Sequence, residues 1–210
     1  MKTTVSGQIL ISMWIERVCS QIKAQIIQVN TDGWTMKIKR SDMEKVLKIS
    51  DKLMVDTGLT YESNTYKKMI IRDVNSYSAQ YESGEIKHKG AFEINKELHK
   101  DPSMRIVPLA LENYFFNNIS IKDTIENHND IFDFCLRLKT NKNSSPFYDY
   151  LKNNEIETIK VDKTTRYYIS KSGGSLYTIG SEDSKRSGKK TGINIGYNSI
   201  IFNKYLLPKK

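Results

Sequence analysis

The stretch that decides the fold lies at residues 24–39 and reads AQIIQVNTDGWTMKIK. Its first six residues are mainly apolar, and residues 34–39 alternate strictly between apolar and polar side chains. Between them stand Asn, Thr, Asp and Gly at residues 30–33, and Asn, Asp and Gly tolerate the positive φ angles of a tight turn. The stretch therefore predicts a β-hairpin with its turn at residues 30–33.

Helical and extended patterns flank this hairpin. Apolar residues at three- and four-residue spacing predict an amphipathic helix over residues 5–24. Ser41-Asp-Met-Glu44 has the form of a capping box, which predicts the start of a second helix. Further strands are predicted near residues 68–73, 77–81 and 85–92, with a turn at Ser83-Gly84 between the last two.

The pattern changes from about residue 95. Helices are predicted at residues 105–116 and 122–138, followed by a polar linker at residues 141–146. Short strands are predicted at residues 158–161, 166–170, 175–179 and 193–201, with a turn at Gly173-Gly174. The predicted fold class is therefore α+β: a helix plus an antiparallel sheet, then a helical part with short C-terminal strands.

Charge indicates the kind of partner. The chain has 33 Lys and Arg against 24 Asp and Glu, a net charge of +9. The excess is concentrated in residues 151–210, which hold 12 basic and 5 acidic residues, whereas residues 1–150 hold 21 and 19. A basic surface of this kind favours a polyanionic partner such as nucleic acid. The alternative is a lysine-rich surface that only keeps the protein in solution.

Several classes are disfavoured by what the sequence lacks. No apolar run approaches the ~18 residues of a membrane-spanning helix. The first residues lack the apolar core of a secretion signal, so we expect a cytosolic protein. Cys19 and Cys135 are too few for a disulfide framework, and the three His have no metal-ligand spacing.

Asp32 is the acidic residue best placed for chemistry. A carboxylate at the tip of a tight hairpin is held rigidly and keeps its oxygens free for Mg²⁺, which binds one or two carboxylates together with substrate phosphates. The alternative is that Asp32 serves only the turn, because Asp before Gly is an ordinary turn residue.

Five segments along the chain resemble parts of family B DNA polymerases. IIQVNTDGWTMKI at residues 26–38 is similar to that family's C motif, in which two apolar strands flank Tyr-Gly-Asp-Thr-Asp-Ser, and residues 4–18 resemble the helix before it. Residues 74–78 and 86–93 resemble the Lys-x-Tyr strand and the Lys-x-Lys-Gly-x-Glu segment, and residues 166–174 resemble a phage-type thumb. The resemblance implies that residues 1–95 are the C-terminal part of the palm and residues 96–210 the thumb.

The resemblance also implies roles for individual residues. Asp32 falls on the second Asp of the C motif and would be catalytic and metal-binding, while Asn30, in place of the first Asp, offers the metal a carbonyl oxygen. Asn75 stands at the Lys position of the Lys-x-Tyr motif. The residues expected to contact DNA are Asn75, Tyr77, Lys87, Lys89, Lys185, Arg186, Lys189 and Lys190.

Two motifs of the family are missing from this chain. The Asp-x-x-Ser-Leu-Tyr-Pro strand and the Lys-x₃-Asn-Ser-x-Tyr-Gly helix have no counterpart before residue 24. The resemblance therefore implies a DNA polymerase piece, in the host cytoplasm if the source is viral, whose two-Mg²⁺ site is completed by an upstream chain. Its partners would be that chain, a DNA primer–template and a dNTP.

The upstream chain is expected to cover the apolar helix stripe of Ile11, Trp14, Val18 and Ile22 and the edge of the hairpin. Two rival interpretations remain. One is a non-catalytic nucleic-acid-binding module that keeps the fold but not the chemistry. The other is a plain structural domain.

Overall fold

The computed structural model describes residues 2–94, 103–182, 187–193 and 198–202, and it divides into two compact units, Met1–Phe92 and Glu93–Lys210. The units mix α-helices with β-sheets whose strands pair antiparallel, which confirms the predicted α+β class. The identity of the two predicted parts as palm and thumb stays a prediction. Among the described residues, no helix is long and apolar enough to cross a membrane.

Unit 1 holds two helices and five strands within the described ranges. Its elements are α1 Lys2–Cys19, β1 Gln25–Val29, β2 Trp34–Lys37, α2 Met43–Thr57, β3 Tyr66–Asp73, β4 Ser76–Tyr81 and β5 Ile86–Lys89. Unit 2 has two helices and six strands in the part of it that is described. These are α3 Ile106–Phe116, α4 Ile121–Asn127, β6 Leu136–Lys139, β7 Ser144–Lys152, β8 Glu155–Lys160, β9 Thr164–Gly180, β10 Lys190–Gly192 and β11 Ser199–Ile201.

The hairpin predicted from residues 24–39 is confirmed. Strands β1 and β2 pair antiparallel, and the N–H of Asn30 donates to the carbonyl oxygen of Gly33 at 2.7 Å, which closes the turn. The hairpin contributes to a core formed with α1 and α2. That core contains Val18, Ile22 and Val46, with Trp14, Trp34, Met36, Ile38 and Ile49 packed against it.

The face of α1 expected to lack a partner is instead buried within unit 1. Ile11, Val18 and Ile22 are buried, and Trp14 donates its indole N–H to Ser50 Oγ at 2.9 Å. The expectation was wrong because the hairpin and α2 already cover this face. The large apolar side chains of α1 that are exposed are Val5, Ile9 and Met13, at 50%, 55% and 41%. They follow one another at four-residue spacing on the opposite side of the helix.

The start of α2 differs from the prediction, and a glycine closes its end. A 3₁₀ turn over Arg40–Asp42 runs directly into α2, and no side chain caps its first turn, so the predicted capping box does not form. The helix ends at Gly58, which has a φ of 69° and closes a C-cap with its N–H on the Met54 carbonyl.

Strands β3, β4 and β5 form the second sheet of unit 1, as predicted. β4 lies in the centre, and Tyr77 of β4 is in register with Ile71 of β3 and with Lys89 of β5. A 3₁₀ turn over Gly90–Phe92 follows β5 and places Phe92 in the interior.

Unit 2 is not the helical part with short strands that the sequence predicted. The helix expected at residues 122–138 ends at Asn127, a 3₁₀ turn follows at Ile131–Phe134, and β6 takes up the remainder. The side chain of Asp130 caps this 3₁₀ turn by accepting the N–H of Phe132 at 2.9 Å, which starts a new element within the expected helix. The expected linker at residues 141–146 contains the start of β7.

A six-stranded sheet forms most of unit 2, with β9 at its centre. β9 runs for 17 residues, pairing with β6 and β11 in its first half and with β7 and β10 in its second half. Its core contains Leu138, Tyr148, Val161, Tyr167, Leu176 and Ile201.

The predicted turn at Gly173-Gly174 is wrong, because both residues lie within β9. A Cβ on Gly173 would approach the Ser199 carbonyl oxygen to 2.3 Å, and one on Gly174 would approach the Asp149 carbonyl oxygen to 2.0 Å. The two glycines therefore permit close backbone contact where β9 changes partners. Tyr148 fixes this crossing, since its hydroxyl donates to the Ser199 carbonyl oxygen at 2.8 Å and accepts the Gly174 N–H at 3.0 Å.

Candidate functional site

An open cavity of about 600 Å³ lies in unit 1 at the turn between β1 and β2. The middle of α1, the β3–β4 turn and the end of β5 form its other walls. Most of its lining is polar: the lining residues are Gln8, Ile11, Ser12, Val29, Asn30, Thr31, Asp32, Val74, Asn75 and Lys89. Four of the residues predicted from the sequence, Asn30, Asp32, Asn75 and Lys89, therefore meet at one place.

Asp32 is exposed at the tip of the hairpin turn. No described side chain forms a hydrogen bond or an ion pair with its carboxylate, and no other acidic residue lines the cavity. The carboxylate is thus available to a ligand or a cation that enters the cavity.

Asn30 presents an unsatisfied acceptor beside it. Its side-chain oxygen Oδ1 is buried and has no hydrogen-bond partner among the described residues. A buried acceptor left without a partner is costly, so a donor or a cation at this position would stabilise the site. One carboxylate and one amide oxygen fit Mg²⁺, which takes its remaining ligands from water and phosphate.

These two residues supply only part of a two-metal site. Among the described residues, no group of three or more His, Cys, Asp and Glu side chains is close enough to hold a metal ion. A pair of metal ions would require further carboxylates.

The position of Asn75 is set by Asp73. The Asn75 N–H donates to Asp73 Oδ1 at 2.9 Å, and Arg72 Nε donates to Asp73 Oδ2 at the same distance. Desolvation opposes the charge on Asp73, but hydrogen bonds from Arg72, the Asn75 N–H and Ser76 outweigh it and hold the pKa of this carboxyl below its usual value. The ionised Asp73 thus stabilises the turn that brings Val74 and Asn75 to the cavity.

Lys89 reaches the cavity because a glycine follows it. Gly90 has a φ of 65°, and a Cβ there would approach the Asn75 carbonyl oxygen to 2.2 Å and Ser76 Oγ to 2.7 Å. The Ala91 N–H also donates to Ser76 Oγ at 3.3 Å. The Lys-Gly pair therefore packs directly against the turn that carries Asn75.

Tyr77 and Lys87 are not among the lining residues. Tyr77 is only 7% exposed, so its ring is not accessible for stacking on a base. Lys87 is exposed and pairs in register with Ala79; it lies two residues before Lys89 in β5, on the same face of the sheet.

The second group of predicted DNA contacts belongs to unit 2. Lys185 and Arg186 lie outside the described residues, and Lys189 is exposed. Lys190 is already bound, because its Nζ lies 2.8 Å from Asp149 Oδ2 and 3.6 Å from the centre of the Tyr177 ring.

The sequence interpretation missed the contribution of α1 to the cavity. Gln8 and Ser12 are one turn apart on the exposed side of α1, and Ser12 Oγ donates to the Gln8 carbonyl oxygen at 2.9 Å. A Cβ on Gly7 would lie 3.6 Å from the Thr31 carbonyl oxygen, so the helix passes close to the turn. The available signal was the pair of polar residues Gln8 and Ser12 at helical spacing on either side of the apolar residues 9–11.

Comparisons with family models, with curated proteins and with solved structures give no match to this chain.

Proposed function

We propose that this chain is part of a nucleotidyltransferase that acts on DNA. More narrowly, we propose the C-terminal portion of a family B DNA polymerase, with residues 1–95 as part of the palm and residues 96–210 as the thumb. The observation that carries the proposal is the cavity shared by Asn30, Asp32, Asn75 and Lys89. The family resemblance gave Asn30 and Asp32 a role at the metal site and Asn75 and Lys89 a role in DNA binding, although these residues lie up to 59 positions apart in the sequence.

The residues of the cavity have complementary tasks in this proposal. Asp32, with the amide oxygen of Asn30, would hold Mg²⁺, which when bound stabilises the attacking and leaving oxygens of phosphoryl transfer. Lys89 and Asn75, which line the same cavity, would bind and orient phosphate groups of the primer strand or the dNTP. An upstream chain would supply the remaining carboxylates and the nucleotide-binding helix.

A non-catalytic DNA-binding module is the second candidate. The observation that favours it is that Asp32 is the one carboxylate among the lining residues, while the position of the first Asp of the family motif is occupied by Asn30. The two candidates differ in whether primer extension depends on Asp32.

The purified chain is expected to show no primer extension by itself, because one hairpin carboxylate cannot hold two metal ions. The assay uses a labelled primer–template, all four dNTPs and either Mg²⁺ or Mn²⁺. Co-expression with the upstream polypeptide is expected to give a 1:1 complex that extends primers. Sustained extension by the lone chain, abolished by a substitution within it, would contradict the division of the site between two chains.

Binding of DNA is expected to depend steeply on salt and little on base sequence. The reason is that backbone phosphates, contacted by the basic residues of unit 2, would supply most of the affinity. Fluorescence anisotropy with two duplexes of unrelated sequence, from about 50 to 200 mM salt, measures both properties. A plot of log K against log salt concentration with no slope would rule out binding through charge.

A further inference from the structure

Asp149 of β7 is the centre of a polar cluster in unit 2. Its Oδ1 accepts the hydroxyls of Thr158 and Tyr177, each at 2.8 Å, and its Oδ2 accepts Lys190 Nζ at 2.8 Å. Desolvation opposes the charge on Asp149, but hydrogen bonds from Lys190, Thr158 and Tyr177 outweigh it and keep the pKa of its carboxyl below the usual value. The cluster is thus a satisfied network that joins β7, β8, β9 and β10.

Lys190 connects the short strand β10 to this network. The hydrogen bond to Asp149 raises the pKa of the lysine, and its ammonium lies over the face of the Tyr177 ring. β10 has only three residues and lies at the edge of the sheet, paired on one side with β9. Three residues of pairing give little stability, and the side-chain contacts of Lys190 add to the flanking backbone hydrogen bonds from Gly188 to Gly180 and from Ile193 to Leu176.

We propose that Lys190 is a positioning residue that anchors β10 and thereby presents the neighbouring Lys189 to a phosphate backbone, instead of binding phosphate itself. The part of this inference that concerns DNA rests on the proposed function. The geometry supports it because Lys190, whose side chain is 54% exposed, is held through its Nζ by Asp149 and the Tyr177 ring, whereas the exposed Lys189 beside it forms no ion pair with a described side chain.

The substitution Asp149→Asn distinguishes an anchoring Lys190 from a phosphate-binding Lys190, because the two roles predict opposite changes in DNA affinity. If Lys190 bound phosphate, removal of the competing carboxylate charge would release it and raise DNA affinity. If Lys190 is an anchor, Asp149→Asn weakens the anchor and lowers DNA affinity, as Lys190→Gln does. Asparagine keeps an oxygen that accepts from Thr158 and Tyr177, so the sheet itself is retained.

The experiment compares the full chain with Lys190→Gln, Asp149→Asn and the double variant, with Lys189→Gln as the matched control. Without DNA, amide hydrogen exchange of residues 187–193 is expected to rise about tenfold in each single variant and no further in the double variant. Lys190→Arg is expected to restore most of the protection. Lys189→Gln is expected to leave the exchange rates unchanged.

With a primer–template duplex, both single variants are expected to bind several-fold more weakly, and the double variant no more weakly than either. Lys189→Gln is expected to reduce the slope of log K against log salt by about 0.9, the value for one phosphate contact. Higher DNA affinity in Asp149→Asn, or unchanged amide exchange in both single variants, would contradict the anchoring role of Lys190. Failure of the parent chain to bind DNA would overturn the phosphate role and the proposed function, while the exchange data would still decide whether Lys190 is an anchor.

Discussion

For the proposed polymerase, whose site an upstream polypeptide would complete, Asp32→Asn is expected to lower the rate of primer extension by about a thousandfold or more. The substitution removes the one carboxylate that the cavity offers to a metal ion. When the transition state loses several kcal/mol of charge stabilisation, the rate falls by about this factor. The turn is expected to persist, because asparagine suits a tight turn as well as aspartate does. Single-turnover extension of a labelled primer measures the effect.

Two controls make the result specific. Asp42→Asn removes a carboxylate from the same unit at a residue outside the cavity, and we expect extension close to that of the parent. Asn30→Asp is expected to be tolerated or mildly activating, since it restores the commoner residue of the family motif. An Asp32→Asn complex that retained extension within a few-fold of the parent would contradict the metal role and favour the non-catalytic module.

The substitution Gly174→Ala is expected to destabilise unit 2 by about 3 kcal/mol, at the upper end of what overpacking a well-packed interior costs. The added methyl group would lie 2.0 Å from the Asp149 carbonyl oxygen and 2.9 Å from Cζ of Tyr148, and neither is the flexible end of a side chain. A loss of this size lowers the melting temperature by roughly 6–12 °C for a chain of this length. Thermal and urea denaturation followed by circular dichroism measure both quantities.

The matched control is Gly33→Ala. A Cβ on Gly33 would meet no atom within 4 Å, so the change tests the effect of replacing a glycine without a clash. Its effect on the free energy of unfolding is expected to stay within about 1 kcal/mol. Equal effects at the two positions would show that the close contact at Gly174 does not limit stability.

The parts of the fold that follow from local pattern were predictable. The hairpin of β1 and β2 is specified by alternation and by its turn residues, both of which lie within 16 residues. The three strands of the second sheet were found for the same reason. Each depends on neighbours in the sequence, so the information is local.

Unit 2 was predicted poorly because its structure depends on distant pairs. β9 receives its partners from residues 136–152 before it and from residues 190–201 after it. Gly173 and Gly174 have the composition of a turn, yet their role is to admit the backbones of β7 and β11. Nothing in the nearby sequence distinguishes these two uses of glycine.

In the candidate site too, the residues that belong to a sequence motif were predictable and those that act through distant contacts were not. Asp32 was identified from its place at the hairpin tip, and the roles of Asn30, Asn75 and Lys89 came from the family resemblance. The roles of Asp73 and Gly90 were missed, because they act through the backbone of Asn75 and not through a motif of their own. Tyr77 was expected to contact DNA, but its burial follows from the central place of β4 in its sheet.

The pairing of β9 with β11 has a consequence for the order in which unit 2 is completed during synthesis. Residues 167–169 remain an open strand edge until Ser199–Ile201 have been made, about thirty residues later. At ribosomal rates of ~5–20 residues per second, this interval lasts on the order of a few seconds. A nascent chain that stopped before Ser199 would keep this edge exposed and would lack Ile201, whose side chain is almost fully buried. Incomplete chains are therefore expected to aggregate through the β9 edge, which the last described strand covers in the finished protein.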